Sequence, residues 1–455
     1  MHKYDDKASR ILLTVLSHTI GRLSMNPPTL DYPKSVDFFE KNAPSLISEK
    51  GNSIETVFDQ FKDTLEESII SVDSPRYLAF IPAAPTKASM IFDLVVSAGS
   101  LCGVSWQEAS GAVWAENQVI RWIADLVGFP EDAGGCFVAG GTNGNLSALV
   151  VAREQHRKNN PDSRKRLAIL CSDQTHSSVK STARVMDCEV IVVPSNDNYQ
   201  LSSQGILNEL EANKNNYAEY EIFAVVATSG TTNLGVIDDI QSIADYAKSN
   251  NIWLHVDGAY GGGGLLSGKV RGLYQGIEKA DSFIVDPHKW LFAPLDCAAV
   301  IYRNKHLASE VHAQKASYLD VLHEDEEGGN PSDYAFHLSR RARGLPLWFS
   351  LSVYGVDAYR QAVEHSLEMA DYAADQINKT PYLSLLIDPT LSVVVFERTG
   401  WNWQDYKNWS TEQLRAQVCF VVPSLVDGKP VLRFAFLNPE TSTSIVDEIL
   451  LSLKQ

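Results

Sequence analysis

Short apolar runs alternate with amphipathic stretches between about residues 86 and 345. Seven of these runs have the length of a strand: 136–138, 167–170, 190–193, 222–227, 252–256, 282–285 and 298–302. The stretches between them repeat their apolar residues at helical spacing, as at 146–157 and 240–249. Because this alternation is typical of βαβ units, it predicts a large α/β domain with a mostly parallel seven-stranded sheet.

The pattern changes on both sides of this region. Residues 1–85 carry apolar residues at helical spacing, but too few to form a core of their own. We therefore expect an N-terminal helical segment that packs on a partner subunit. Residues 346–455 are expected to form a small α+β C-terminal domain. Its predicted helices and strands are at 353–378, 391–396, 431–436 and 444–453.

The composition narrows the class of protein. A chain of 455 residues with 44% hydrophobic and 21% charged residues is long enough for more than one core. Its net charge of −17 argues against nucleic acid or an anionic membrane as a partner. The six cysteines lack zinc-site spacing, and neither a signal peptide nor a run of roughly 18 apolar residues is present. We expect a cytoplasmic enzyme without a metal.

Two predicted strands are followed by residues that suit one cofactor. Asp257 ends the 252–256 run, and Lys289 follows the 282–285 run in the sequence Asp-Pro-His-Lys-Trp. Since the carboxyl ends of parallel strands meet at one edge of a sheet, both side chains are expected in one site. A lysine there can form a Schiff base, and a buried carboxylate can hold a protonated pyridine nitrogen. The pair suggests pyridoxal phosphate (PLP); a helix-capping aspartate and a surface lysine are the plain alternatives.

Three further strand ends carry suitable groups. Gly-Gly-Thr-Asn-Gly-Asn at 140–145 opens a helix, where backbone N–H groups attract phosphate. His176 lies in Asp-Gln-Thr-His-Ser-Ser, and its ring could stack on a flat cofactor; Thr232 ends Ser-Gly-Thr-Thr. Each is also compatible with an ordinary turn. Five strand ends that all offer suitable groups are hard to explain by chance, so together they favour a PLP site.

These motifs resemble those of the group II PLP-dependent amino-acid decarboxylases, which act on aromatic amino acids, histidine, glutamate or diaminobutyrate. The resemblance covers roughly residues 70–440 and is most specific at 173–178, 255–260 and 287–290. It implies the fold of the aspartate aminotransferase type, also called fold type I. It also implies a homodimer with its sites at the subunit interface.

The resemblance assigns a role to each cofactor residue. Lys289 would be the Schiff-base lysine, Asp257 would pair with the ring nitrogen, and His176 would stack on the ring. Thr232 would lie near the hydroxyl side of the cofactor. The residues implied to hold the phosphate are Gly141, Thr142 and His288.

Other residues are implied to act on the substrate. Tyr334 resembles the family's mobile-loop tyrosine, which returns a proton after carbon dioxide leaves. Phe80 and Trp106 fall in stretches that shape the family's substrate pocket, and Arg433 matches an arginine near the site. Asp286 stands where many members have asparagine.

The expected activity is therefore decarboxylation of an L-amino acid, with an aromatic or apolar side chain, to an amine and carbon dioxide. One alternative is a PLP-dependent carbon–carbon lyase of the sphingosine-phosphate type, because Asp286 to Lys289 match its Asp-x-His-Lys signature. Another is an aromatic aldehyde synthase, and a third is a homologue without catalysis. An intact Lys289 and Asp257 argue against the last.

Overall fold

A computed structural model describes residues 2–82, 84–314 and 329–454. Each of the seven predicted apolar runs forms a strand of one sheet, which confirms the α/β fold expected from the sequence. The strands are β1 (Gly134–Val138), β2 (Arg166–Ser172), β3 (Glu189–Val193), β4 (Tyr220–Thr228), β5 (Trp253–Asp257), β6 (Ser282–Val285) and β7 (Ala298–Tyr302).

The strand order of this sheet is β1-β7-β6-β5-β4-β2-β3. Strands β6, β5, β4, β2 and β3 run parallel to one another, and β7 is antiparallel to both β1 and β6. Asp257 pairs in register with Thr228 of β4 and with Ile284 of β6. The carboxyl ends of β4, β5 and β6 therefore lie side by side, which brings their following loops together.

The described chain forms fourteen α-helices, and several of them pack on the two faces of the large sheet. They are α1 (Asp6–Ser24), α2 (Val36–Asn42), α3 (Ile54–Gln60), α4 (Lys87–Ala98), α5 (Trp106–Val127), α6 (Gly141–Asn159), α7 (Ser177–Val185), α8 (Ser203–Ala212), α9 (Lys214–Tyr217), α10 (Ile240–Asn250), α11 (Lys305–His312), α12 (Leu345–Asn378), α13 (Trp403–Arg415) and α14 (Thr443–Ser452). Helices α5 and α10 share one core cluster with the sheet, while α6 and α7 pack on its other face. This burial on both faces explains why the strands read as continuous apolar runs.

A second sheet follows the long helix α12. Its strands are β8 (Leu383–Leu385), β9 (Val393–Arg398), β10 (Ser424–Val426) and β11 (Lys429–Ala435). They are antiparallel in the order β10-β11-β9-β8. The sequence predicted β9, β11, α12 and α14 but missed α13 and the two three-residue strands. Strands that short carry too few residues for a periodic pattern.

The N-terminal helices lie outside the core of the described chain. Helices α1, α2 and α3 contain no buried residue. In the described ranges, no helix combines the length and apolar character needed to cross a membrane.

Candidate active site

A cavity of about 310 Å³ opens at the carboxyl ends of β4, β5 and β6. Seven of the residues predicted for the site line it: Gly141, Thr142, His176, Thr232, Asp257, His288 and Lys289. They come from five separate loops or helix starts, which meet because the parallel strands end at the same edge. Its volume falls in the lower part of the range of small-molecule sites.

The start of α6 forms one wall of the cavity. Gly140 precedes the helix and provides no side-chain cap. In the described structure, the backbone N–H groups of Gly141 and Thr142 have no hydrogen-bond acceptor. A Cβ atom at Gly141 would lie 3.1 Å from both carboxylate oxygens of Asp286 and 3.3 Å from the Cβ of Ala259. A side chain there would press on these neighbours, so glycine favours the close approach, and the helix start can receive an anion.

Asp257 forms a second part of the cavity lining and is buried. Its Oδ2 accepts a hydrogen bond from Asn145 Nδ2 at 2.9 Å, and its Oδ1 accepts one from the N–H of Ala259 at 3.0 Å. Within the described chain, no lysine, arginine or histidine forms an ion pair with this carboxylate. Since a buried carboxylate needs compensation, the site suits a ligand that brings a cationic N–H to Asp257.

Lys289 is tied to Asp286 at the third wall. Its Nζ lies 2.9 Å from Asp286 Oδ2, and His288 Nε2 lies 3.6 Å from the same oxygen. His288 Nδ1 accepts a hydrogen bond from the N–H of Cys297 at 3.0 Å. Burial lowers the pKa of His288, so its ring is neutral near pH 7 and Nε2 carries its hydrogen. This N–H can donate to an anion in the cavity.

His176 stands at the cavity rim as the N-cap residue of α7. Its Nδ1 accepts from the N–H of Ser178 at 3.2 Å and lies 2.8 Å from Ser178 Oγ. Its ring is exposed, which leaves an aromatic face available to a flat ligand. On the far side, Thr228 Oγ1 is buried and has no hydrogen-bond partner in the described structure.

Tyr334 is placed differently from the sequence expectation. It is 8% exposed and packs in a core cluster with Cys136, Val138 and Ala148. Its carbonyl accepts a hydrogen bond from Tyr302 Oη at 3.0 Å. Within this protomer Tyr334 is anchored by packing and does not line the cavity, so its role as a proton donor stays a prediction.

Three predicted substrate residues also lie outside the cavity lining of this protomer. Arg433 is buried, and its guanidinium donates to the carbonyls of Thr232 and Phe80. It therefore joins two loops at the cavity margin instead of facing a substrate. Trp106 starts α5, where its backbone N–H donates to Asn330 Oδ1 at 2.9 Å. Phe80 lies beside Phe420 and is 57% exposed.

The sequence analysis missed several lining residues: Asn145, Ser178, Thr228, Tyr260 and Leu295. Three of them carried a usable signal. Asn145 follows Gly141 by one helical turn and so shares its face of α6. Ser178 lies in the first turn of α7, and its N–H donates to the capping residue His176. Thr228 ends the predicted strand β4, as Asp257 ends β5. Tyr260 and Leu295 depend on how loops pack, which no local pattern specifies.

The groups in this cavity fit PLP. The N–H groups at the start of α6 and His288 suit a phosphate, the uncompensated Asp257 suits a pyridinium nitrogen, and Lys289 suits an aldehyde. The exposed ring of His176 suits the flat face of a pyridine.

Comparisons with known proteins agree with this chemistry. The sequence model for the pyridoxal-dependent decarboxylase conserved domain matches residues 39–399. Aromatic-L-amino-acid decarboxylase from Bacillus atrophaeus is 29% identical over 92% of this chain and 88% of the relative. L-2,4-diaminobutyrate decarboxylase from Rhizobium meliloti (strain 1021) is 29% identical over 89% of this chain and 82% of the relative. The chain spans a smaller share, 65%, of histidine decarboxylase from Rattus norvegicus, at 26% identity over 91% of this chain.

A solved structure shares the whole fold. The crystal structure of Oryza sativa TDC with PLP and tryptamine superposes with a TM-score of 0.91 at 22% identity, over 100% of this chain and 98% of the other. The likeness confirms the fold-type I arrangement. The chain belongs to the pyridoxal-dependent decarboxylase family and is a PLP-dependent amino-acid decarboxylase.

Proposed function

We propose that the cavity at the ends of β4, β5 and β6 is the decarboxylation site and that its residues divide the work of holding PLP. Lys289 would hold the aldehyde, Asp257 the ring nitrogen, and His176 one face of the ring. The phosphate would be held by Gly141, Thr142 and His288, and Thr232 would lie on the hydroxyl side. The observation that carries this proposal is the convergence of these residues on one cavity.

Bound PLP supplies an electron-accepting ring and a carbon that takes the amino group of the substrate. Asp257 stabilises the positive charge on the ring nitrogen, because its own hydrogen bonds come from the neutral donors Asn145 and Ala259. His176 covers the open side of the cavity and excludes water from the ring. These residues bind and orient the reacting groups; Lys289 Nζ gives way to the amino group of the substrate.

We assign the return of a proton to Lys289 Nζ. A substrate that arrives as an ammonium would leave its extra proton on the displaced amine, and Asp286 Oδ2, at 2.9 Å, would stabilise the Lys289 ammonium. Tyr334 does not line the cavity, so it is not available within this protomer. Lys289 therefore serves first as an anchor and then as an acid.

The anchoring role is tested by reducing the PLP-loaded protein with borohydride and mapping the modified peptide by mass spectrometry. We expect the added mass on Lys289, and none after Lys289→Ala. Lys214→Ala, which changes an exposed lysine on α9, is the matched control and should keep the label. A label on another lysine, or none in the natural chain, would contradict the assignment.

We propose an aromatic L-amino acid as the substrate. The carboxylates lining the described part of the cavity are Asp257 and Asp286, and both have partners in this scheme. No further carboxylate is thus available there to select a cationic side chain. Two apolar side chains lie at the margin: Leu295 lines the cavity and is 60% exposed, and Phe80 is joined to Thr232 through Arg433.

Substrate choice is tested by comparing kcat/KM for aromatic L-amino acids, histidine, glutamate and 2,4-diaminobutyrate. We expect the aromatic amino acids to rank first. Leu295→Ala should lower kcat/KM for them by about tenfold through lost apolar contact, while Leu425→Ala, at an exposed leucine of β10, should not. A preference for diaminobutyrate or glutamate would overturn this choice and leave the decarboxylase activity intact.

We propose that the enzyme is a homodimer. Helix α1 buries no residue within the protomer, yet it carries a row of exposed apolar side chains: Ile11, Leu12, Leu13, Val15, Leu16 and Ile20. An exposed apolar surface of this kind is typical of an interaction site. A second copy of the chain is the occupant that the family resemblance favours.

The assembly is tested by sedimentation of the natural chain and of the double variant Leu13→Glu/Ile20→Glu. We expect a dimer of two 50.3-kDa chains that dissociates in the variant. The control Ile47→Glu changes a fully exposed residue outside the helices and should remain dimeric. A natural chain that sediments as a monomer would contradict the proposal.

We also propose a cytoplasmic location. The six cysteines are all free thiols, and four of them are buried, which suits a reducing compartment. Fractionation of cells that express the tagged protein tests this placement.

A further inference from the structure

We propose that Asn145 is a positioning residue that places the ring hydrogen of His176 on Nε2 while it holds Asp257. The inference rests on the proposed function, because it explains how the two residues assigned to the ring are oriented together. It depends on one continuous chain of hydrogen bonds from β5 to the start of α7.

The first part of this chain fixes the hydrogen of a buried histidine. Trp253 Nε1 can only donate, and it donates to Ser282 Oγ at 2.8 Å. This leaves the hydrogen of the Ser282 hydroxyl free to point to His255 Nδ1, also at 2.8 Å. Burial lowers the pKa of His255 to about 4, so the ring is neutral and has a single N–H. That N–H is on Nε2.

The second part fixes the orientation of the Asn145 amide. His255 Nε2 lies 2.8 Å from Asn145 Oδ1, and Asn145 Nδ2 lies 2.9 Å from Asp257 Oδ2. The opposite orientation would place an amide oxygen against a carboxylate and two N–H groups against each other. The amide therefore receives a hydrogen bond from His255 and donates one to Asp257.

The last part determines which ring nitrogen of His176 carries the hydrogen. The second hydrogen of Asn145 Nδ2 points to Ser178 Oγ at 2.9 Å, so this oxygen acts as an acceptor there. Its own hydrogen is then directed to His176 Nδ1 at 2.8 Å. The N–H of Ser178 also points to Nδ1, at 3.2 Å. Because Nδ1 accepts from both donors, the ring hydrogen of a neutral His176 is on Nε2.

Two consequences follow for the site. His176 presents a fixed N–H donor on its Nε2 edge, away from Ser178. Asn145 also keeps the Asp257 carboxylate in position, since its amide group donates to both Asp257 and Ser178. Loss of Asn145 should therefore disturb Asp257 and His176 together, whereas loss of the Ser178 hydroxyl should disturb His176 alone.

The test is ¹⁵N NMR of histidine-labelled, PLP-loaded enzyme without substrate, with the His176 signals assigned by their loss in His176→Asn. We expect a non-protonated Nδ1 in the natural chain. In Asn145→Leu and in Ser178→Ala, we expect Nδ1 to become partly protonated, because the directed hydroxyl donor is lost. Asn143→Ala, in the same helix and without a bonded side chain, should keep the natural signals.

A second measurement separates the hydrogen bond from Asn145 to Asp257 from the one to Ser178. The dissociation constant for PLP should rise about tenfold in Asn145→Leu, because Asp257 loses a hydrogen bond. It should stay within about twofold of the natural value in Ser178→Ala, where that bond remains. A hydrogen on Nδ1 of the natural chain, or unchanged His176 signals in both variants, would overturn the proposal. The NMR measurement on the natural chain can overturn the proposal by itself, so the test does not depend on whether a variant folds. These measurements use no turnover, so they are independent of whether the proposed reaction occurs.

Discussion

Asp286 Oδ2 lies 2.9 Å from Lys289 Nζ, and Asp286 Oδ1 is buried with no partner in the described structure. Both oxygens also face the start of α6 across Gly141. A carboxylate in this position stabilises positive charge on Lys289 and repels an anion at the helix start. The two effects oppose each other in the resting site, and they can be separated by a single substitution.

Removing the charge with Asp286→Asn should change two measurable properties. The pH midpoint of the visible absorbance of the bound cofactor should fall by about 1 unit, because the protonated Lys289 nitrogen loses its counter-ion. The dissociation constant for PLP should decrease, because a like charge near the phosphate is removed. Absorbance titration and fluorescence binding measure the two. Asp296→Asn, whose carboxylate pairs with Arg343 at 2.8 Å, is the control. An unchanged midpoint would contradict the role of Asp286.

Adding a side chain at the start of α6, where the phosphate is proposed to bind, should weaken PLP binding. In Gly141→Ala the new Cβ would lie 3.1 Å from both Asp286 oxygens, so the surrounding groups must move. We expect the dissociation constant for PLP to rise about tenfold, measured by equilibrium dialysis. Gly140→Ala is the matched control, because a Cβ there meets no atom within 4 Å. Equal losses in both variants would argue against a specific role for Gly141.

A buried ion pair should hold the segment before α12 to α5. Arg340 Nη1 lies 2.7 Å from Glu116 Oε2, and both side chains are almost fully buried. Arg340→Met would leave Glu116 charged and unpaired, so the free energy of unfolding should fall by about 3–5 kcal/mol. The neighbouring pair of Arg341 and Asp93 is partly exposed, and Arg341→Met should cost about 1 kcal/mol or less. Guanidinium unfolding of the two variants compares them; equal costs would contradict this account.

The loop that carries Thr232 should contribute a pH-dependent stability. Asp238 accepts hydrogen bonds from the N–H groups of Thr228 and Leu201, both at 2.7 Å, yet burial raises its pKa to about 7. The folded chain therefore keeps a proton that the unfolded chain loses above about pH 4. The contribution of Asp238 to stability should fall as pH rises from about 4 to about 7, by about 1.4 kcal/mol per unit, and level off above.

The contribution of Asp238 is isolated by comparing the natural chain with Asp238→Asn in unfolding measurements at several pH values. The difference in the free energy of unfolding between them should decrease up to about pH 7 and then stay constant. A difference that increases with pH would show a lowered, not a raised, carboxyl pKa.

The sequence predicted the site best where a strand fixes the position of a residue. Asp257 and Lys289 follow buried strands, and sheet topology alone brings such ends together. The position of Tyr334 could not be derived from the sequence, because it depends on how the segment after residue 329 packs against β1 and β7, and no periodic pattern reports that. Arg433 lies on a predicted strand, but its direction is set by the carbonyls of Thr232 and Phe80, which are distant in sequence.

We propose that this cavity removes carbon dioxide from an amino acid and releases the amine. A product balance tests this reaction: the PLP-loaded enzyme is supplied with its preferred L-amino acid, labelled at the carboxyl carbon, and labelled carbon dioxide, amine, aldehyde and hydrogen peroxide are measured together. We predict equal amounts of carbon dioxide and amine, no peroxide, and no product from Lys289→Ala. Carbon dioxide with peroxide and aldehyde in place of the amine, or aldehyde without carbon dioxide, would contradict the account.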